Sequence, residues 1–218
     1  NALAALPTFN GKKIDIRVAL PLHDLDTIEK FSLVKQFPIS ITNKNKTAHG
    51  EVYKCELNGI TYYFIRQIDP SLQSHLVYEP DDYENAYKFI FFSLACIEML
   101  PKLDWEPDII HSNDSHTALI PYQIYNQNQD QENQIKAKTL LTIHNMPFMG
   151  YGSSVILRDF NIAPISVPTF PEWALHLPLP MGIMAADEIV AVSPTYAEEL
   201  KTEYFGYGLE SYFIEIGR

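Results

Sequence analysis

Apolar and polar positions alternate with a period of two across Ile14, Ile16, Val18 and Leu20, and Pro21 closes the run, which predicts a strand. Ahead of it, NALAALPTFNGKK reads as the tail of a helix entering a Gly-containing turn, so the chain is expected to begin partway through a βαβ unit without its first strand. Over 51–67 the runs EVYKCEL and ITYYFIRQ flank Asn58-Gly59, a pair suited to the positive φ angles of a type I′ turn, and predict a hairpin. The period then changes. Tyr83, Ala86, Tyr87, Ile90, Phe91, Leu94 and Ile97 recur at helical spacing behind Asp81, with Glu84 placed as a capping box places it. This aromatic stripe reads as core, with no cofactor role. A strand over 108–111, a helix over 115–125 and a strand over 139–144 follow, in the alternating order of a parallel sheet. The polar stretch NQNQDQENQ reads as an exposed connector. MPFMGYGSSVILRDFNIAPISVPTFPEW, rich in Pro and Gly, is longer than ordinary connections, and connections of that length are commonly functional or disordered. A short strand over 188–192 leads to Ser193-Pro194, an N-cap with proline at the first helical position. With no repeat and no composition break, one α/β domain is expected.

Composition narrows the partners. A formal charge of −11 without a long Lys/Arg cluster weighs against nucleic acid and against an anionic membrane surface. Cys55 and Cys96 lack ligand-like spacing and read as reduced, buried thiols. The sequence has no apolar run of about 18 residues and no signal-peptide pattern at its start, which reads as a cytoplasmic setting without a membrane.

The chemistry concentrates where two short apolar strands end in polar loops, PDIIHSNDSHTALIP and KTLLTIHNMPFMG. Ligands of open parallel sheets bind outside the carboxyl ends of the strands, so His111, Asn113, Asp114, His116, His144 and Asn145 are expected around one crevice. His111, Asp114 and His116 suit a metal by composition, which would make the chain a metal-dependent hydrolase. No HExxH or CxxC completes such a set, and no metal is expected. Asp114 and His116 equally suit sugar hydroxyls, since a carboxylate and an imidazole accept and donate the bonds a sugar ring offers. Asp114 also stands where a helix N-cap would, and both roles stay open. His144 is either a structural strand-end histidine or a ligand contact, with Gly150 and Gly152 downstream permitting close backbone approach. Residue chemistry leads to a polyol or nucleotide-sugar pocket.

These same segments carry a resemblance. PDIIHSNDSHTALIP is similar to the PDVVHAHDWHTALLP of bacterial glycogen synthases and plant starch synthases, glycosyltransferase family 5, and LLTIHNMPFMG resembles their FTIHNLAYQG. DEIVAVSPTYAEEL, EYFGYGLES and YENAYKFIFFSLACIEML match further family segments in family order. The resemblance implies the N-terminal half of a GT-B enzyme, a Rossmann-like doubly wound, mostly parallel sheet with an inserted β-hairpin spanning 1–218. The implied reaction moves glucose from ADP-glucose, or UDP-glucose, to the non-reducing end of an α-1,4-glucan with retention. It needs no metal or cofactor, in the cytoplasm or, for a plant or alga, the plastid stroma.

By the same resemblance the donor nucleotide belongs to a C-terminal domain outside these residues, and a Lys-x-Gly-Gly-Leu loop belongs ahead of residue 1, so this stretch alone is expected to be inactive. His144 is implied at the donor glucose with Asn145 beside it, Asp114 and His116 on the glucosyl or acceptor side, and Tyr78 as an active-site tyrosine. The chain departs from the family pattern at Ser115 (Trp), Phe148 (Tyr), Met149 (Gln), Pro180 (Lys) and Asn1 (Asp). A non-catalytic, divergent glucan-binding module on the same fold is the alternative from another functional class.

Overall fold

The structure is a computed structural model that describes residues 8–43, 46–68, 75–129 and 134–217. The anticipated N-terminal helix tail falls mainly outside those residues, as does the middle of the polar connector. Two short strands, β1 (Thr8–Phe9) and β2 (Lys12–Lys13), form a small hairpin turned at Asn10 and Gly11, both at positive φ.

Next come β3 (Arg17–Pro21) and α1 (Asp26–Lys30), then the strands β4 (Val34–Asn43), β5 (Lys46–Leu57) and β6 (Ile60–Gln67). They form a four-stranded sheet in the order β3-β6-β5-β4, in which β3 runs parallel to β6 and the other pairings are antiparallel. The first strand starts three residues later than the alternation at Ile14 suggests. The hairpin turn is as expected, with Asn58 at φ 53° and Gly59 at φ 75°. The predicted hairpin is in fact part of a meander, because β5 extends back to Lys46 and pairs with β4.

β4 alternates in burial, with Ile39 and Ile41 inward and Ser40 and Thr42 outward, yet Pro38 lies in its middle. Proline is tolerated there because β4 is an edge strand. The Pro38 carbonyl accepts a hydrogen bond from Lys102 Nζ (3.0 Å), so this residue's backbone faces away from β5.

α2 (Asp82–Met99) is the hub. Asp81 caps it by accepting from the Glu84 N–H (3.1 Å), and Ala86, Tyr87, Ile90, Phe91 and Ala95 are buried along its length. One side lies on the mixed sheet, where Phe91 reaches so close to Gly50 that a β-carbon there would sit 2.7 Å from the ring and 2.6 Å from the Arg66 carbonyl oxygen. The other side packs on α3 (Asp114–Thr117) and α4 (Leu119–Gln127). The single helix expected over 115–125 is thus two segments.

β7 (Ile109–Asn113), β8 (Lys138–Ile143) and β9 (Glu188–Ala191) form a separate, fully parallel three-stranded sheet. The α/β class with parallel crossovers therefore holds, while apart from the small β1–β2 hairpin the ladders fall into two sheets, with α2 packed between the mixed one and the helices α3 and α4 that follow β7. Leu141 and Ile143 of β8 enter the same core as Val52 and Ile65 of the mixed sheet. The opposite face of the parallel sheet leaves Ile109, His111, Asn113 and Val190 exposed. Asp187 braces the start of this sheet. Its carboxylate accepts from Lys138 Nζ (2.6 Å) and from the Thr139 N–H (2.8 Å) and hydroxyl (2.9 Å), and these bonds, Lys138 foremost, hold it below the ordinary carboxylate range.

The long Pro/Gly-rich region is ordered locally by α5 (Ser154–Asp159) and a 3-10 turn over Glu172–His176. α6 (Pro178–Ala185) follows, with Gly182 packed so tightly on Ala118 that a β-carbon would lie 2.3 Å from its carbonyl oxygen. α7 (Pro194–Glu199) is capped by the Ser193 hydroxyl, which accepts from the Tyr196 N–H (3.0 Å), and α8 (Glu203–Gly206) and α9 (Glu210–Ile216) complete the described chain. No helix among the described residues is long and apolar enough to cross a membrane.

Candidate functional site

β7 and β8 are parallel neighbours in register, so their carboxyl ends lie side by side and the loops leaving them meet. The junction is Asp114. Its φ of 52° is uncommon for a residue other than glycine, and the turn it makes directs its carboxylate across to the end of β8. There Oδ1 accepts from the N–H groups of His144 (2.7 Å) and Asn145 (3.2 Å). The capping role considered for Asp114 is not what the structure shows. Asn113 occupies the N-cap position of α3 without a side-chain capping bond, and the Thr117 hydroxyl bonds the Asn113 N–H (2.6 Å) and carbonyl (2.9 Å) instead.

Beside this junction His144 Nε2 meets Asn113 Oδ1 at 2.9 Å, and His111 Nε2 meets the Thr142 hydroxyl at 2.6 Å. These four side chains share one face of the sheet, because strand residues two apart point the same way. Burial, and then the neighbouring His144, lower the pKa of His111.

A cleft of about 550 Å³ opens next to this row and is floored by α2. Of the anticipated residues, Asp114, His116, Asn145 and Tyr78 line it, whereas His111, Asn113 and His144 do not. The His116 ring lies edge-on to Phe89 (centroids 4.4 Å) and 5.6 Å from Tyr78, and burial holds its pKa below the ordinary value, Asp114 opposing in part. His111, Asp114 and His116 therefore face different partners, and no group of three His, Cys, Asp or Glu among the described residues is placed to hold a metal.

Several lining residues lie outside the sequence expectations. Phe89, Asn85 and Ser93 face the cleft from α2, Tyr151 from the loop after β8, and Pro178 from α6. Phe89 was legible in principle, as an aromatic standing off the apolar stripe of its helix. Tyr196, whose hydroxyl accepts from the Met146 N–H (2.9 Å) and fixes the loop leaving β8, carried no local signal. The departures from the family pattern separate here: Ser115 and Phe148 line the cleft, while Met149 and Pro180 are buried in the core.

The starch synthase catalytic domain model matches residues 1–215. The chain belongs to that family. It is 33% identical over 225 residues to a glycogen synthase from Ligilactobacillus salivarius, covering 96% of this chain and 45% of that protein. A Vibrio parahaemolyticus glycogen synthase is 35% identical over 204 residues, covering 89% and 41%. The catalytic domain of starch synthase IV from Arabidopsis thaliana, bound to ADP and acarbose, superposes with a TM-score of 0.67 at 25% identity, over 82% of this chain and 38% of that one. The chain thus spans about half the length or less of these relatives, and its fold matches part of a glycosyltransferase catalytic domain.

Proposed function

We propose that residues 1–218 form the acceptor-side half of a retaining glucosyltransferase of the glycogen and starch synthase kind, transferring glucose from ADP-glucose, or UDP-glucose, to the non-reducing end of an α-1,4-glucan. Its counterpart is a C-terminal domain holding the donor nucleotide, and the greater length of the relatives supports that arrangement. The observation that carries the reading is Asp114. A single carboxylate fixes the backbone of His144 and Asn145 at the end of β8, beside a cleft with the aromatic faces of Tyr78, Phe89 and Phe148.

If His144 donates Nε2–H to the Asn113 side-chain oxygen, its Nδ1 in the neutral ring is an acceptor for a glucose hydroxyl. Such a contact strengthens as positive charge grows at the anomeric carbon, and Asp114 adds a fixed negative charge nearby. Catalysis then rests on positioning and electrostatics, with no metal in any step. The ADP and acarbose held by the starch synthase IV domain support an adenine nucleotide donor and a glucan-like acceptor here.

Phe148, an apolar residue on the cleft wall, favours one competing reading, a glucan-binding module without turnover. Transfer of labelled glucose from ADP-glucose to glycogen by the complete protein decides between them. Incorporation into glycogen is expected, none from residues 1–218 alone, and glycogen binding without incorporation by the complete protein would establish the module.

A further inference from the structure

Lys88 and Glu79 are the buried charges that the site as described leaves without a task. Their side chains retain only 10% and 5% exposure and form an ion pair. Lysine is rarely buried to this degree, and removing two ions from water costs several kcal/mol each, so an apolar pair of similar volume would commonly stabilise the fold as well or better. Stability alone does not account for the pair.

Its geometry offers another account. Lys88 Nζ also donates to the Leu76 carbonyl oxygen at 2.7 Å. One turn earlier on α2, Asn85 accepts from the Glu79 N–H (2.6 Å) and donates to the Glu79 carbonyl. Two side chains of one helix face therefore grip the backbone or carboxylate of residues 76 and 79, on either side of Tyr78. The gripped segment has no helix or strand of its own to order it. Tyr78 itself is 62% exposed, and its ring lies near those of Phe89 (6.2 Å) and His116 (5.6 Å), both on the cleft wall. Such ring contacts orient the side chain but leave its backbone to be placed by the segment that carries it. Its backbone must be held from behind.

We propose that Lys88 is a positioning residue which, through Glu79 and the Leu76 carbonyl, holds Tyr78 over the cleft mouth and so sets affinity for the glucan acceptor. The inference rests on the reading of this cleft as the glucan site. Lys88 acts through Tyr78, so its removal and the removal of Tyr78 are not additive.

The test uses the complete protein with ADP-glucose and maltoheptaose, together with amide hydrogen exchange over residues 76–79. Lys88→Met is expected to speed exchange in that segment and to raise the KM for maltoheptaose ~10-fold, with kcat changed far less. Tyr78→Ala should raise the same KM, and the double variant should be no worse than Tyr78→Ala. Lys88→Arg, which keeps a cation able to reach both oxygens, should restore most of the affinity. Unchanged exchange in Lys88→Met, or effects of Lys88→Met and Tyr78→Ala that simply multiply, would overturn the proposal. A wild-type protein that transfers nothing would refute the glucosyltransferase reading instead. The exchange experiment and maltoheptaose binding by the same variants would then decide the role of Lys88.

Discussion

The two sheets solve the same problem in different ways. In the mixed sheet, β4, β5 and β6 run for 10, 12 and 8 residues and are joined by local antiparallel pairing, so the ladders largely support themselves. The parallel sheet has strands of 5, 6 and 4 residues, and side chains from outside its ladders tie it together. Asp187 braces its beginning, while Asp114 and Tyr196 fix the backbone where β8 ends. All the anticipated site residues except Tyr78 belong to β7, α3 or the end of β8, and none belongs to the mixed sheet. The lesson is a division of labour: self-sufficient ladders supply stability, and the short sheet with side-chain bracing presents polar groups at fixed positions.

The comparison breaks most visibly under Phe91→Ala. Phe91 is 2% exposed between α2 and the mixed sheet, and its truncation is expected to cost about 3–5 kcal/mol in denaturant unfolding. Next in size, His144→Ala in the complete protein should lower kcat by ~10²-fold while Tm moves little, because among the described residues the exposed imidazole is bonded at its Asn113 end alone. A large drop in Tm with normal turnover of the folded fraction would instead make His144 structural.

Asp114 links stability and site. Asp114→Ala should cost about 1–3 kcal/mol in chemical unfolding, since two backbone N–H groups lose their acceptor. Asp114→Asn keeps both a side-chain oxygen and tolerance of positive φ, and should cost less than half as much. The smallest effect concerns pH. Burial lowers the folded pKa of His116 below the ordinary 6.5, so the unfolded chain takes up its proton first as pH falls, and the stability His116 contributes near neutrality declines below that value. Tm should therefore fall between about pH 7.5 and about pH 5.5, and fall less steeply in His116→Gln.

The sequence made some of this readable and hid the rest for identifiable reasons. Asn58-Gly59, Asp81 with Glu84, and Ser193-Pro194 each act within four residues of chain, and each turn or cap stands where its pattern placed it. β4 was hidden because Pro38 interrupts a strand that tolerates it only at a sheet edge. In the site, the strand ends were legible from apolar runs closing on His111-to-Asp114 and His144-Asn145. The task of Asp114 was not, since its carboxylate crosses to a segment 30 residues on. Asn85 was obscured because its neighbours in the apolar stripe, Ala86 and Ile90, read as core alone, although they line the same cleft.

Pro38 has a consequence beyond the strand it interrupts. An edge strand invites pairing with another molecule wherever it offers a row of free backbone donors and acceptors. At Pro38 the donor is absent and the carbonyl is already taken by Lys102, while an irregularity between Lys35 and Phe37 breaks the regular spacing just before it. A foreign strand approaching β4 would find the middle of its docking line closed. The residue that obscured the strand in the sequence thus guards the folded molecule against growing edge to edge into aggregates.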